Sequence, residues 1–101
     1  ARFFPADVGD PAALETMFAG VCASLGPPHI VVNNAYRSIR RPFLELERND
    51  LTATWDVCLL APFSLSQLAA REMVRRGEGG HIVMISSVLA FIPFASSLPY
   101  N

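Results

Sequence analysis

Lysine is missing from this chain: all eight basic residues are arginine. An ε-ammonium shifts its pKa readily and serves as a catalytic base or steadies a nearby anion, so any such role has to be filled from outside these 101 residues. Charge of either sign is sparse, at 17% of residues with a net charge of −1. That supply draws no basic stripe for nucleic acid or an anionic membrane surface. Histidine occurs only at positions 29 and 81, each opening an apolar run with no Cys or carboxylate at ligand spacing, so no metal site is read. No apolar run reaches the roughly 20 residues of a membrane-spanning helix, and the first residues lack the basic-then-apolar plan of a secretory leader. Cysteine is scarce too. Cys22 and Cys58 both fall in apolar helical patterns, where free thiols are expected in place of a disulfide. These absences together lead to the expectation of a soluble, cytoplasmic protein.

What is present is hydrophobic: 51% of the residues are apolar, the proportion of a buried α/β interior. Arg2-Phe3-Phe4 reads as the end of a strand closed by Pro5. Asp10-Pro11 opens a helix, with an acceptor at the cap and a proline where a missing N–H costs nothing. Leu14, Met17, Phe18, Val21, Cys22 and Leu25 then recur at three- and four-residue steps until Gly26-Pro27-Pro28 stops the pattern. His29 to Val32 is a continuous run without polar alternation, as in a parallel strand covered on both faces. Arg37 to Asn49 reads as a loop holding at most one helical turn. Asn49 or Asp50 is expected to cap a long helix from about Asp50 to Arg76, bent near Leu59 to Phe63 by Pro62. Gly77 to Gly80 ends it, and His81 to Ile85 is a further buried-type strand. Strand, helix, strand, helix, strand in that order implies a parallel sheet with right-handed crossovers.

In such sheets ligands bind outside the carboxyl ends of the strands. Those ends carry Asn33-Asn34-Ala35-Tyr36 and Ser86-Ser87. Thirteen positions after Ser87 stands Tyr100, so a hydroxyl and a phenol can converge on one carbonyl oxygen. Each feature has an ordinary explanation as well: Asp7 as a loop residue, the asparagines as turn formers, the serines as partners for frayed backbone groups, and Tyr100 as a packed loop aromatic. Only the spacing to Tyr100 separates Ser87 from Ser86.

Asp7-Val8, Asn33-Asn34-Ala35, Gly80-x-Ile82-Val83-x-Ile85-Ser86-Ser87 and Tyr100, taken in order and spacing, resemble the middle of a short-chain dehydrogenase/reductase. The likeness runs over essentially the whole chain. It implies an α/β fold, part of a Rossmann-type doubly wound parallel sheet in three layers, α/β/α, with residues 1–101 the central part of a single NAD(P)-binding domain. The implied chemistry is hydride transfer between NAD or NADP and a small carbonyl or alcohol substrate. Tyr100 would be the general acid/base and Ser87 would steady the carbonyl. Asp7 would meet the adenine ring with Val8 beside it, while Asn33 and Ala35 would hold the strand end and line the adenosine ribose. The family's glycine-rich GxxxGxG turn is expected upstream of Ala1, and its lysine four positions beyond Tyr100. The resemblance further implies a homo-oligomer formed through the helix 50–76, with neither nucleic acid nor membrane as partner.

Two positions depart from that pattern. Tyr36 stands where the family usually has Gly, and Cys58 where it often has Asn. They leave open a catalytically silent nucleotide-binding or regulatory member, and the 101 residues alone are expected to be inactive.

Overall fold

The structure, a computed structural model, describes all of residues 1–101. Asp10 turns the chain into α1 (Pro11–Leu25), its carboxylate accepting from the Ala12 N–H at 2.9 Å and the Ala13 N–H at 3.3 Å. Two of the four donors that a first turn leaves free are thereby satisfied. Gly26 closes the helix at φ 82°, a backbone angle that residues with a Cβ avoid.

β1 (Ile30–Asn33) follows and pairs in parallel with β2 (His81–Met84), Ile30 opposite His81 through to Asn33 opposite Met84. The ladder extends at both ends: the His81 N–H donates to the His29 carbonyl at 2.8 Å, and the Ile85 N–H donates to the Asn33 carbonyl at 2.9 Å. Arg76 fastens the approach to β1 with two donors, to the Pro27 carbonyl at 2.8 Å and the Pro28 carbonyl at 3.2 Å.

Between the strands runs a helix that differs from the expected single rod. α2 (Arg48–Trp55) starts a little earlier than the sequence suggests, with Glu47 at the cap position and Asp50 reaching back to accept from the Glu47 N–H at 3.0 Å. A wide π-type turn over Asp56–Leu60 then joins it to α3 (Ala61–Arg76). The Ala61 N–H donates to the Asp56 carbonyl, five residues back. Pro62 explains the widening: it has no N–H for the Cys58 carbonyl, and its ring crowds that turn. The bend expected at Leu59 to Phe63 therefore appears as a π turn just before the proline.

α1 and α3 pack together beneath one face of β1, where Phe18, Val31, Ala69 and Met73 form the buried cluster and Cys22, Leu65 and Leu68 border it. Ala69, 0% exposed, is small enough for the layers to approach closely. The opposite face is open, with Ile30 and Val32 at 62% and 55% exposure. Cover on both faces was expected, and the helices supply it on one only. The strand expected at Arg2 to Phe4 does not form either. A strand needs a ladder partner, β1 pairs only with β2, and Phe3 stands 87% exposed. The radius of gyration, 15.6 Å, exceeds the roughly 13 Å of a closed domain of about 100 residues. The chain thus presents two strands and one helical layer of an α/β/α arrangement.

Candidate active site

Both strands deliver their carboxyl ends to the same edge. At the end of β1, Asn33 is buried and its Nδ2 donates to the Ser66 hydroxyl of α3 at 3.2 Å. That bond ties the strand terminus to the helix layer and leaves Ala35 and Tyr36 projecting beyond it. At the end of β2 the chain passes through Ile85 and Ser86 to Ser87, which caps a short turn over Val88–Ala90. The Ser87 hydroxyl oxygen accepts from the Leu89 N–H at 3.2 Å. One of its lone pairs is thus occupied while its O–H stays free to donate.

Tyr100 arrives on a loop fastened from three sides. The Trp55 indole N–H donates to the Pro99 carbonyl at 3.2 Å, and the Tyr100 N–H donates to the Ser97 carbonyl at 2.9 Å. Ser97, fully buried, has its hydroxyl 3.2 Å from that of Ser38, and the Arg41 N–H donates to the Ser96 carbonyl at 3.1 Å. Arg41 is itself paired with Asp50 at 3.4 Å. The loop after β1 and the start of α2 therefore position the loop that carries Tyr100. The Tyr100 ring meets the Tyr36 ring edge-on, centroids 6.1 Å apart and planes at 60°.

Ser87 and Tyr100 line one cleft of about 490 Å³, together with Asn33, Ala35, Tyr36 and Cys58, over a largely apolar floor that includes Pro62 and Phe63. A smaller recess of about 130 Å³ adjoins it, lined by Val8, Asn34 and Leu65 and sharing Asn33 and Ala35 with the larger cleft. Of the six residues expected at the site, five thus border two adjoining spaces at the strand ends. Asp7 borders neither: one carboxylate oxygen accepts from the Gly9 N–H at 2.9 Å and closes the turn before α1. Ala35 gives a flat group room to approach the backbone, Val8 offers an apolar contact, and Asn33 is held by Ser66 so that the ledge does not shift.

Four positioning contacts were missed at the level of sequence. The Trp55 pin could have been anticipated, because even a partly buried indole N–H generally finds an acceptor. The Ser38–Ser97 contact carries no such signal, and neither does the packing of Tyr36 on Tyr100. Cys58 was singled out only as a departure, yet its sulfur accepts from the Arg37 N–H at 3.3 Å and donates to the Arg37 carbonyl at 3.2 Å. Both cysteines are free. Burial pushes the Cys22 thiol up from its ordinary pKa, with the Glu72 carboxylate acting in the same direction. No group of three or more His, Cys, Asp or Glu residues converges, and no helix is long and apolar enough to cross a membrane.

Known proteins resemble this chain in sequence and in fold. The short chain dehydrogenase family model matches residues 1–101. Carbonyl reductase [NADPH] 2 of Sus scrofa is 34% identical over 95 residues, which is 94% of this chain and 37% of that protein. L-xylulose reductase of Homo sapiens is 37% identical over 81 residues, 80% of this chain and 32% of that protein. A crystal structure from Agrobacterium tumefaciens, of a protein named for gluconate dehydrogenase, superposes with a TM-score of 0.89 at 32% identity, covering 99% of this chain and 39% of that one. The chain spans about a third of the length of the curated relatives it matches.

Proposed function

The chain belongs to the short-chain dehydrogenase/reductase family and has part of its Rossmann fold, and from that membership we propose that it is the central part of one NAD(P)-binding domain of an oxidoreductase interconverting an alcohol and a carbonyl compound. The observation that carries the reading is the shared cleft: Ser87 and Tyr100, brought in by separate segments, border one space at the carboxyl edge of the sheet.

The bound NAD or NADP supplies or accepts the hydride. In the reducing direction the Tyr100 phenol donates its proton to the carbonyl oxygen as that oxygen gains charge, and in the oxidising direction the phenolate takes the proton back. The Ser87 O–H donates to the same oxygen. Its orientation is favoured by the Leu89 N–H, which already occupies the hydroxyl's acceptor side. A free phenol ionises near pH ~10, and a neighbouring cation favours the phenolate. With no lysine here, that cation comes from further chain, as does the phosphate-binding turn, so the 101 residues alone neither turn over substrate nor bind NAD(P) tightly.

Val8, Asn33 and Ala35 form the wall on the adenosine side. Asp7 keeps one carboxylate oxygen for the adenine edge, since only the other is used by Gly9. The apolar floor suits a small carbonyl or alcohol substrate with an apolar flank. Leu60 and Val74, exposed on the helical stretch 50–76 and outside the cleft, support a homo-oligomer formed through it. The open sheet face supports a larger domain around these residues, and the two free thiols suit the cytoplasm.

A second reading, a catalytically silent nucleotide-binding member, is favoured by one observation: Cys58, at the position of the family's frequent Asn, is committed to the Arg37 main chain. Replacing Tyr100 by Phe in the intact protein separates the two. The oxidoreductase reading expects turnover to disappear while cofactor affinity stays the same, whereas measurable turnover that Tyr100→Phe leaves unchanged rejects it. A starting protein that binds NAD(P) and reduces no carbonyl in a broad panel supports the silent reading.

A further inference from the structure

We propose that Tyr36 is a positioning residue for Tyr100, an inference that rests on the acid/base reading of Tyr100. Two independent features meet at Tyr36. On one side its ring meets the Tyr100 ring edge-on at 6.1 Å. Aromatic pairs prefer this geometry to face-to-face stacking, and it fixes the tilt of one ring against the other. On the other side the main chain of the next residue, Arg37, is gripped in both directions by Cys58, N–H to sulfur at 3.3 Å and S–H to carbonyl at 3.2 Å. Cys58 lies in the middle of the π turn (Asp56–Leu60), a backbone whose widened spacing stems from Pro62.

The contacts run from Pro62 through the π turn to the Cys58 sulfur, then to the Arg37 backbone, the Tyr36 ring and the Tyr100 ring. Tyr36 is 72% exposed, so its ring is not placed there to fill the core. Its conspicuous partner is the phenol that the reaction needs at a fixed angle. The Trp55 and Ser97 hydrogen bonds anchor the Tyr100 backbone but not its ring. A ring free to swing places its hydroxyl well in only part of its population, and rate falls with that fraction while binding does not.

The test uses Tyr36→Phe and Tyr36→Leu in the intact enzyme, with kcat and KM for a carbonyl substrate measured per folded molecule. Tyr36→Phe keeps the ring and should keep kcat. Tyr36→Leu removes it and should lower kcat about three- to tenfold, the range expected for losing one aromatic pair, with KM for NAD(P)H unchanged. A purely structural role would instead lower the melting temperature and leave kcat per folded molecule alone. Equal kcat in Tyr36→Leu and the starting protein overturns the inference, as does an equal loss in Tyr36→Phe. Should Tyr36→Leu not fold, Tyr36→Met, unbranched and equally without a ring, is read by the same criteria. Tyr100→Phe in parallel keeps the two readings apart: if it retains turnover, the acid/base assignment fails, and if it is inactive while Tyr36→Leu is normal, only the positioning role fails.

Discussion

Beneath β1, Phe18, Val31, Ala69 and Met73 close on one another with little solvent contact, whereas beyond its carboxyl end the cleft is assembled through scattered hydrogen bonds: Trp55 to Pro99, Ser38 to Ser97, Arg41 to Ser96, and Cys58 with Arg37 in both directions. The difference is energetic as well as geometric. Fully burying a large apolar side chain contributes about 1.5–3 kcal/mol, while a typical hydrogen bond contributes about 0.5–1.5 kcal/mol net. The lower layer should therefore govern whether the fold stands, and the upper one where Ser87 and Tyr100 point. Substitutions below should move stability and leave the rate per folded molecule alone, and substitutions above should do the reverse.

The sharpest challenge to that separation is Tyr100→Phe in the intact protein. On the proposed acid/base role of Tyr100, turnover should fall by about 10²–10⁴-fold. The Phe ring still meets Tyr36, so thermal unfolding should barely move. A melting temperature that fell along with the rate would show that the phenol also holds the loop in place, and the two layers would no longer be separable.

From below, Phe18→Ala should cost about 3–5 kcal/mol in denaturant unfolding, because it removes a buried ring from the centre of the cluster. The surviving folded molecules should keep their kcat. A smaller effect in the same layer is expected at Gly80. A Cβ there would come within 2.7 Å of the His29 carbonyl oxygen and press on the end of the Met73 side chain. The methionine can give way, but the carbonyl is held in the ladder by the His81 N–H. Gly80→Ala should accordingly cost about 1–3 kcal/mol, as overpacking does, again with kcat per folded molecule unchanged.

The same division decided what could be read from the residues. The lower layer was legible because apolar periodicity and cap chemistry are local: α1 begins at the residue after Asp10 and stops at Gly26, as its sequence says. Coverage was not legible, since an uninterrupted apolar run such as Ile30 to Val32 is compatible with two covered faces whether or not these residues provide the second cover. Nor was the missing strand at Arg2 to Phe4, because a strand exists only with a partner, and a propensity does not name one. At the site, motif order suggested that Ser87 and Tyr100 would share a space, and they line one cleft. What fastens the Tyr100 loop to other segments was hidden, since each of those hydrogen bonds joins residues 44 to 59 positions apart with no pattern between them. The π turn is an intermediate case, a proline effect whose place was nearly right and whose form was not.

Trp55 ties the end of α2 to the Tyr100 loop, and its effect should be the smallest. Its ring belongs to the end of α2 and its N–H reaches the Pro99 carbonyl, the residue before Tyr100. Trp55→Phe keeps most of the apolar ring and removes the donor, leaving the partly buried Pro99 carbonyl without this partner. The stability loss should be about 1 kcal/mol, the scale of one hydrogen bond, visible as a slight fall in the denaturant midpoint. A few-fold loss in kcat should accompany it, because the anchor next to the phenol has loosened while the aromatic contact with Tyr36 persists. If kcat were unchanged, the Ser97 bond and the Tyr36 ring would suffice to hold Tyr100. A fall in kcat as large as that of Tyr100→Phe would instead make Trp55 the residue on which the whole upper layer depends.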